Sequence, residues 1–171
     1  MTRTIVAIVA FLVSFSQGSN AAADRMGQAS DFGFRLSVQL CLTETVDTFT
    51  SMFTKELGGD PPRSATAQLS LSDAQMGTIY QTMEKIRFFD YPSQFDGVRD
   101  GLRAVTVLGP AIRYRLEVRN GGAVHAVSWN DAFKPTTEEA DRLRALLSMI
   151  IGFVHEHPGF QRLARANGGC E

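Results

Sequence analysis

The segment that most restricts the fold is a strictly alternating run followed by a tight-turn dipeptide. Residues 112–119 place apolar side chains at every second position, and Asn120-Gly121 follows directly. Alternation with a period of two is typical of a half-buried strand, and Asn-Gly favours a two-residue type I′ turn. A two- or four-residue loop keeps the apolar positions of residues 123–129 on the same face, with Leu116 opposite His125. The pattern predicts a hairpin in an antiparallel sheet with one polar face.

Three further strands are predicted before the hairpin. Residues 34–40 and 64–71 alternate apolar and polar side chains, and residues 45–55 are rich in threonine and aromatic residues. The glycines and prolines of residues 58–62 separate the last two of these strands. One more short strand is an option near Val105.

Two helices complete the predicted architecture. Ser72 with Gln75 forms a capping box for the first helix, and Thr136 with Glu139 forms one for a second helix over residues 137–157. The order β-β-β-α-β-β-α predicts an α+β fold. We expect an antiparallel sheet of about five strands with both helices packed on one face.

The first 23 residues have the features of a secretory signal peptide. Arg3 precedes an apolar run over residues 5–15, and Ala21-Ala22-Ala23 precedes Asp24. The run is about half of the roughly 20 residues that a membrane-spanning helix needs. We therefore expect residues 1–23 to be removed and residues 24–171 to form one globular domain, exported to the periplasm or secreted.

The charge balance excludes broad classes of partner. Without residues 1–23 the chain carries 16 basic and 18 acidic side chains. A net charge near −2 gives no general attraction to nucleic acid or to anionic membranes. A second apolar run long enough to span a bilayer is absent from the sequence, so no stable membrane insertion is expected after cleavage.

The two cysteines predict a disulfide if the protein is exported. Cys41 and Cys170 both lie beyond the signal peptide, and an even pair in an oxidising compartment most simply forms one bridge. Two separate thiols are the alternative. The wide spacing does not suit a metal site.

The sequence contains no recognisable catalytic or cofactor motif. It lacks a G-x-S-x-G elbow, an H-E-x-x-H pair, a Walker loop and a G-x-G-x-x-G loop. His155 and His157 are two apart on a predicted helix, so their side chains point away from each other and do not suit one metal ion. His125, on the inward side of the hairpin, is expected to be a hydrogen-bonded, partly buried histidine. A small secreted hydrolase with an unrecognised site near His125 is the alternative function.

A row of arginines is the main candidate surface. Arg113, Arg115 and Arg119 lie on one face of the predicted hairpin, and Arg35 of the first strand is a fourth candidate. Arginine suits bidentate recognition of carboxylate or phosphate, so the row predicts a non-catalytic binding domain for an anionic ligand or a protein partner. The loops around Asp60 and Asp96 are the other candidate surface for such binding. The alternative is an ordinary polar sheet face with cross-strand ion pairs, for example to Glu117.

Four short motifs resemble a group of uncharacterised exported bacterial domains. They are L-S-x-x-Q-M and I-x-F-F-x-Y-P within residues 71–92, R-N-G-G at residues 119–122, and H-P at residues 157–158. These motifs are structural, being a helix cap, a helix end, a hairpin turn and a second helix end. The resemblance implies an exported α+β domain and transfers no activity or functional residue.

Overall fold

The computed structural model describes residues 31–98, 105–106, 111–134 and 136–163, with the backbone alone for 105–106. The predicted signal peptide over residues 1–23 and the predicted disulfide partner Cys170 lie outside these ranges. Within them, no helix combines the length and apolar character needed to cross a membrane.

Nine strands and three α-helices make up the described chain. The strands are β1 (Gly33–Gln39), β2 (Thr43–Asp47), β3 (Met52–Gly58), β4 (Arg63–Gln68), β5 (Gln94–Phe95), β6 (Val105–Thr106), β7 (Arg113–Asn120), β8 (Ala123–Asn130) and β9 (Phe133–Lys134). The helices are α1 (Asp73–Lys85), α2 (Glu138–Glu156) and α3 (Pro158–Gln161), with a 3₁₀ turn at Phe88–Asp90.

The strands form a seven-stranded sheet in the order β4-β3-β2-β1-β7-β8-β5 and a separate β6-β9 pair. Neighbours in the large sheet are antiparallel except β5, which runs parallel to β8. The α+β class is therefore correct. The prediction of about five antiparallel strands and two helices is wrong in detail, because the large sheet is mixed and has seven strands, and α3 is a third helix.

One missed strand comes from the segment over residues 45–55, which folds back on itself as β2 and β3. The Asp47 carboxylate accepts hydrogen bonds from the N–H groups of Phe49 (2.9 Å) and Thr50 (3.3 Å), and Ser51 has a φ of 53°. An aspartate that binds the backbone two and three residues ahead favours a turn. The impure alternation of this segment reflects that reversal.

The hairpin forms, but its turn lies one residue later than predicted. Gly121 (φ 58°) and Gly122 (φ 80°) are the two turn residues, and Asn120 ends β7. Both φ angles are positive, as a type I′ turn requires, and glycine adopts them without strain. Leu116 therefore lies opposite Val127 rather than His125. The shift is two residues in register, so every side chain stays on its predicted face.

The helix caps agree with the sequence at α1 and differ at α2. Ser72 and Gln75 form the predicted reciprocal capping box. At α2 the capping residue is Thr137, whose hydroxyl accepts from the N–H of Ala140 (3.2 Å), and not Thr136. The Thr136 hydroxyl instead donates to the Asp141 carboxylate (3.1 Å), so it does not take the capping role.

The hydrophobic core lies between the large sheet and the two long helices. Sheet residues from β1, β2, β3, β7 and β8 and helix residues from α1 and α2 form one buried cluster. Its largest fully buried side chains are Phe34, Phe53, Phe88, Leu36, Leu69, Ile79, Met83, Leu116, Leu143, Leu146, Leu147 and Ile150. The opposite face of the sheet carries the polar positions of each strand.

Candidate functional site on the open sheet face

The predicted arginine row lies on the face of the sheet that points away from the core. In the β1-β7-β8 register, Gln39, Arg113 and Asn130 lie level with one another, and Ser37, Arg115 and Ser128 form the next row. Two further rows hold Arg35 beside Glu117 and Gly33 beside Arg119. All four candidate arginines thus share this face, but their surroundings differ.

Arg35 is held in an ion pair. Its Nε and one terminal nitrogen donate to the Asp47 carboxylate at 3.0 and 2.7 Å. The hydrogen bond to Asp47 raises the pKa of Arg35. Burial alone would raise the pKa of Asp47, but the Arg35 guanidinium and the N–H of Phe49 hold it below its usual value. Arg35 therefore forms an internal cross-strand ion pair, which is what the alternative of an ordinary polar sheet face predicts.

Arg119 and Arg115 are less firmly held. The Arg119 guanidinium lies 4.6 Å from the centre of the Phe49 ring, a cation–π contact. Arg115 lies 3.9 Å from the Glu117 carboxylate and 3.4 Å from the Ser128 hydroxyl, and its side chain is 60% exposed. Long contacts at an exposed side chain contribute little, so Arg115 is available to an anion.

Arg113 lines a cavity of about 500 Å³ at the β5 edge of the sheet. Within the described ranges its guanidinium has no ion pair, hydrogen bond or ring contact with another side chain. The cavity also has polar, acidic and aromatic walls, formed by Gln94, Phe95, Asp96, Tyr114, Ser128, Trp129, Asn130 and Phe133. A concave site with a few polar groups among apolar ones is the usual form of a small-ligand site.

Two features of the β5 segment position the acidic wall of this cavity. One Asp96 carboxylate oxygen accepts from the N–H of Val98 at 3.1 Å. The next residue, Gly97, has a φ of 65°, and a Cβ there would lie 2.9 Å from the Ala140 Cβ and 3.1 Å from the Trp129 indole nitrogen. Only glycine fits this conformation and this close approach. The backbone on either side of Asp96 is thereby held in place.

An ion-pair cluster that the sequence analysis missed supports the same end of the sheet. Arg144 of α2 donates to both carboxylate oxygens of Asp131 at 2.8 and 2.7 Å and to Asp141 at 2.6 Å. These hydrogen bonds, led by the one to Asp131, raise the pKa of Arg144. Its guanidinium also lies 5.2 Å from the centre of the Trp129 ring. The cluster ties the β8–β9 turn to α2 and packs against Trp129, which lines the cavity. In the sequence only the Asp141–Arg144 spacing indicated part of this cluster.

His125 lies on the core face, away from the arginines. Its ring meets Phe88 and Phe89 edge-on at centroid distances of 5.3 and 6.0 Å. Its Nε2 is buried and has no hydrogen-bond partner among the described residues. The expectation of a partly buried histidine is correct, whereas the expected hydrogen bond is missing at this nitrogen.

The two helix-end histidines have different partners. His155 stacks on Phe160 and its Nε2 lies 3.6 Å from the Glu44 carboxylate. The Nδ1 of His157 accepts from the N–H of Gly159 at 3.0 Å and caps α3. Proline at the first position of a helix is well tolerated, so Pro158 begins α3 where the sequence predicted only a stop.

Two other cavities lie off the arginine face or at its far edge. One, of about 400 Å³, is formed at the β3–β4 loop by residues that include Glu56 and Arg63. The other, of about 350 Å³, lies between the 3₁₀ turn and the start of α2. Its charged walls are the pairs Glu139–Arg142 and Arg87–Asp90, which already pair at 2.9 and 2.7 Å. Neither is lined by any of the four candidate arginines.

Cys41 lies in the exposed turn between β1 and β2. Its predicted partner, Cys170, is outside the described residues, so the disulfide stays a prediction.

Comparison with known proteins does not extend this picture. No protein-family model matches the chain. No curated protein matches it either. The resemblance to exported bacterial domains therefore stays a prediction, and the function has to be argued from the site.

Proposed function

We propose that this protein is an exported, non-catalytic binding domain that takes an anionic ligand on the open face of its sheet. Arg113 is the central residue, Arg115 assists it, and Arg35 and Arg119 complete the basic face. The observation that carries the proposal is an exposed guanidinium beside a cavity of about 500 Å³, without a charge partner in the described part of the chain. A guanidinium in this setting offers a carboxylate or phosphate two parallel hydrogen bonds.

The differences among the four arginines support a site and not only a solvated face. Arg35 has its own carboxylate and Arg119 its own ring, so both are already engaged within the fold. Arg113 and Arg115 lie two positions apart on β7 and therefore project from the same face. An anion in the cavity is therefore bound by Arg113, and Arg115 adds positive charge from the neighbouring position on the same face.

The hydrolase alternative is not carried forward. His125 packs on the core face against Phe88 and Phe89, whereas Arg113 is on the opposite face and His125 does not line the cavity beside it. Nothing in the described surroundings of His125 favours a catalytic role over a packing one.

The proposal is tested by titrating the exported, purified protein with benzoate, citrate and inorganic phosphate while following backbone amide shifts by NMR. We expect a saturable shift with at least one anion at residues 113–115 and 128–130. In the Arg113→Gln/Arg115→Gln double variant that anion should bind about tenfold or more weakly, as expected from losing a charge-assisted hydrogen bond.

The matched control is Arg162→Gln, which removes an exposed guanidinium at the end of α3. This variant should bind like the wild-type protein. Unchanged affinity in the double variant, or no saturable shift with any of the three anions, would contradict the proposed function.

A further inference from the structure

The cavity beside Arg113 also contains an acidic side chain that has no charge partner among the residues that the structure describes. Asp96 lines the same cavity, and no ion pair to it is found among the described residues. One of its carboxylate oxygens accepts the N–H of Val98, which leaves the other oxygen without a partner in the described structure. The other charged side chains nearby already form ion pairs, since Arg144 and Lys134 both pair with Asp131. Two opposite charges thus face one cavity without pairing with each other.

The strand register sets the distance between these two charges. Arg113 lies opposite Asn130 of β8, and the parallel pairing of Phe95 with Trp129 brings the following residue, Asp96, level with Asn130 on the other side. Asn130 therefore lies between them. Neighbouring strands are about 4.8 Å apart, so the two backbone positions are separated by about 10 Å. A ligand that spans them has an anionic group at one end and a cationic group at the other.

We propose that this cavity binds a small zwitterion of amino-acid to dipeptide size, with its carboxylate at Arg113 and its ammonium group at Asp96. The inference rests on the proposed function, because it names the ligand class of the same site. An extended dipeptide is about 7 Å long. The backbone positions of Arg113 and Asp96 are about 10 Å apart. Their side chains reach into this gap and shorten it, so the length of a dipeptide suits it.

The remaining walls agree with such a ligand. Phe95 and Phe133 are half-buried and offer apolar surface for a side chain. Ser128 and Gln94 provide hydroxyl and amide groups for a peptide bond. A multiply charged anion is disfavoured, because the Asp96 carboxylate in the same cavity repels it.

The test uses the dipeptide Ala-Phe as the probe, together with its N-acetylated and C-amidated forms, in calorimetric titrations of the exported protein. Ala-Phe should bind saturably, and each blocked form should bind about tenfold or more weakly. Arg113→Gln and Asp96→Asn should each weaken Ala-Phe binding to a similar degree. Asparagine retains the carbonyl oxygen that accepts from the N–H of Val98, so the second variant keeps its local turn.

Titrating each variant with each blocked dipeptide tests which end of the ligand each residue binds. In Asp96→Asn, N-acetylation should cost little further affinity, whereas C-amidation should still weaken binding. Arg113→Gln should show the reverse. The control Glu84→Gln removes an exposed carboxylate on α1 and should bind all three ligands like the wild-type protein.

The outcomes separate this inference from the proposed function. If benzoate binds in a manner that depends on Arg113 but Ala-Phe binds no better than its N-acetylated form, or does not bind, the zwitterion inference is overturned and the anion site stands. If no anion depends on Arg113, the proposed function itself fails.

Discussion

The Arg144 cluster allows a stability prediction whose size follows from the structure. Arg144 makes two hydrogen bonds to Asp131, whose side chain is only 11% exposed. A hydrogen bond to a charged group contributes about 1.5–3 kcal/mol. Removing Arg144 leaves the mostly buried Asp131 carboxylate with the long contact to Lys134 at 3.5 Å as its remaining ion pair in the described structure. Arg144 itself is 29% exposed, so in the variant water replaces some of the lost hydrogen bonds. The lower end of this energy range therefore applies.

We therefore expect Arg144→Met to lower the free energy of unfolding by about 1.5–2 kcal/mol. Methionine keeps an unbranched apolar stem over Trp129, so the change tests the charge more than the packing. For a chain of 171 residues this corresponds to a fall of about 3–8 °C in Tm. Urea unfolding followed by fluorescence is a direct assay, because Trp129 is the single tryptophan and lies beside Arg144.

The control is Arg142→Met, two positions along the same helix. Arg142 pairs with Glu138 and Glu139 at an exposed surface, so its loss should cost about 0.5 kcal/mol or less. A double-mutant cycle of Arg144→Met with Asp131→Asn should give a coupling of about 1.5 kcal/mol or more. A coupling near zero, or equal effects of Arg144→Met and Arg142→Met, would refute the reasoning.

Three further predictions test other parts of the fold. Two hydrogen bonds from the glycine N–H groups of the β7–β8 turn hold the pKa of Asp31 below 3.8. Its contribution to stability is therefore present above that value and lost as the pH falls through the lowered pKa. Unfolding of Asp31→Asn at several pH values should show a weaker loss below pH 4, and an unchanged acid profile would contradict this role. Gly152→Ala adds a methyl group in open space on α2 and should stabilise the protein by up to about 1 kcal/mol. At Gly159 a Cβ would lie 2.8 Å from a backbone oxygen of β4, so Gly159→Ala should destabilise the protein. Thermal unfolding measures both glycine variants. A change in Tm of the same sign for Gly152→Ala and Gly159→Ala would contradict this packing. Leu147→Ala removes a side chain that is 1% exposed and should cost about 2–5 kcal/mol in urea unfolding. Leu40→Ala, at 47% exposure, should cost under about 0.5 kcal/mol, and similar losses at both leucines would contradict the assigned core.

The predictable parts of the fold are those encoded by near neighbours along the chain. The alternation over β7 and the capping residues Ser72 and Gln75 depend on contacts within a few residues, and both features are present in the structure. The short edge strand β5 was missed because two residues are too few for a periodic pattern. The turn at Asp47 was missed because threonine and aromatic residues favour a strand and mask a turn signal of one side chain.

The candidate site, like the fold, could be predicted only where local patterns determine it. Its four arginines were identified from the alternation alone, because a strand period of two assigns each residue to a face. Their unequal roles were not, since the partners of Arg35 and Arg119 lie 12 and 70 residues away along the chain. The loop around Asp96 was a candidate surface, but the place of Asp96 beside Arg113 depends on the pairing of β5 and β7 with β8, which no local pattern predicts.

What the sequence by itself determined is therefore which residues lie on the polar face of the sheet and where the main helices begin. Only the tertiary structure decided the strand order, the position of the hairpin turn, and the meeting of Arg113 and Asp96 at one cavity. The physical reason is that faces and caps follow from local geometry. Cavities and ion-pair clusters depend on segments far apart in sequence, which approach each other only when the core between the sheet and α2 is formed.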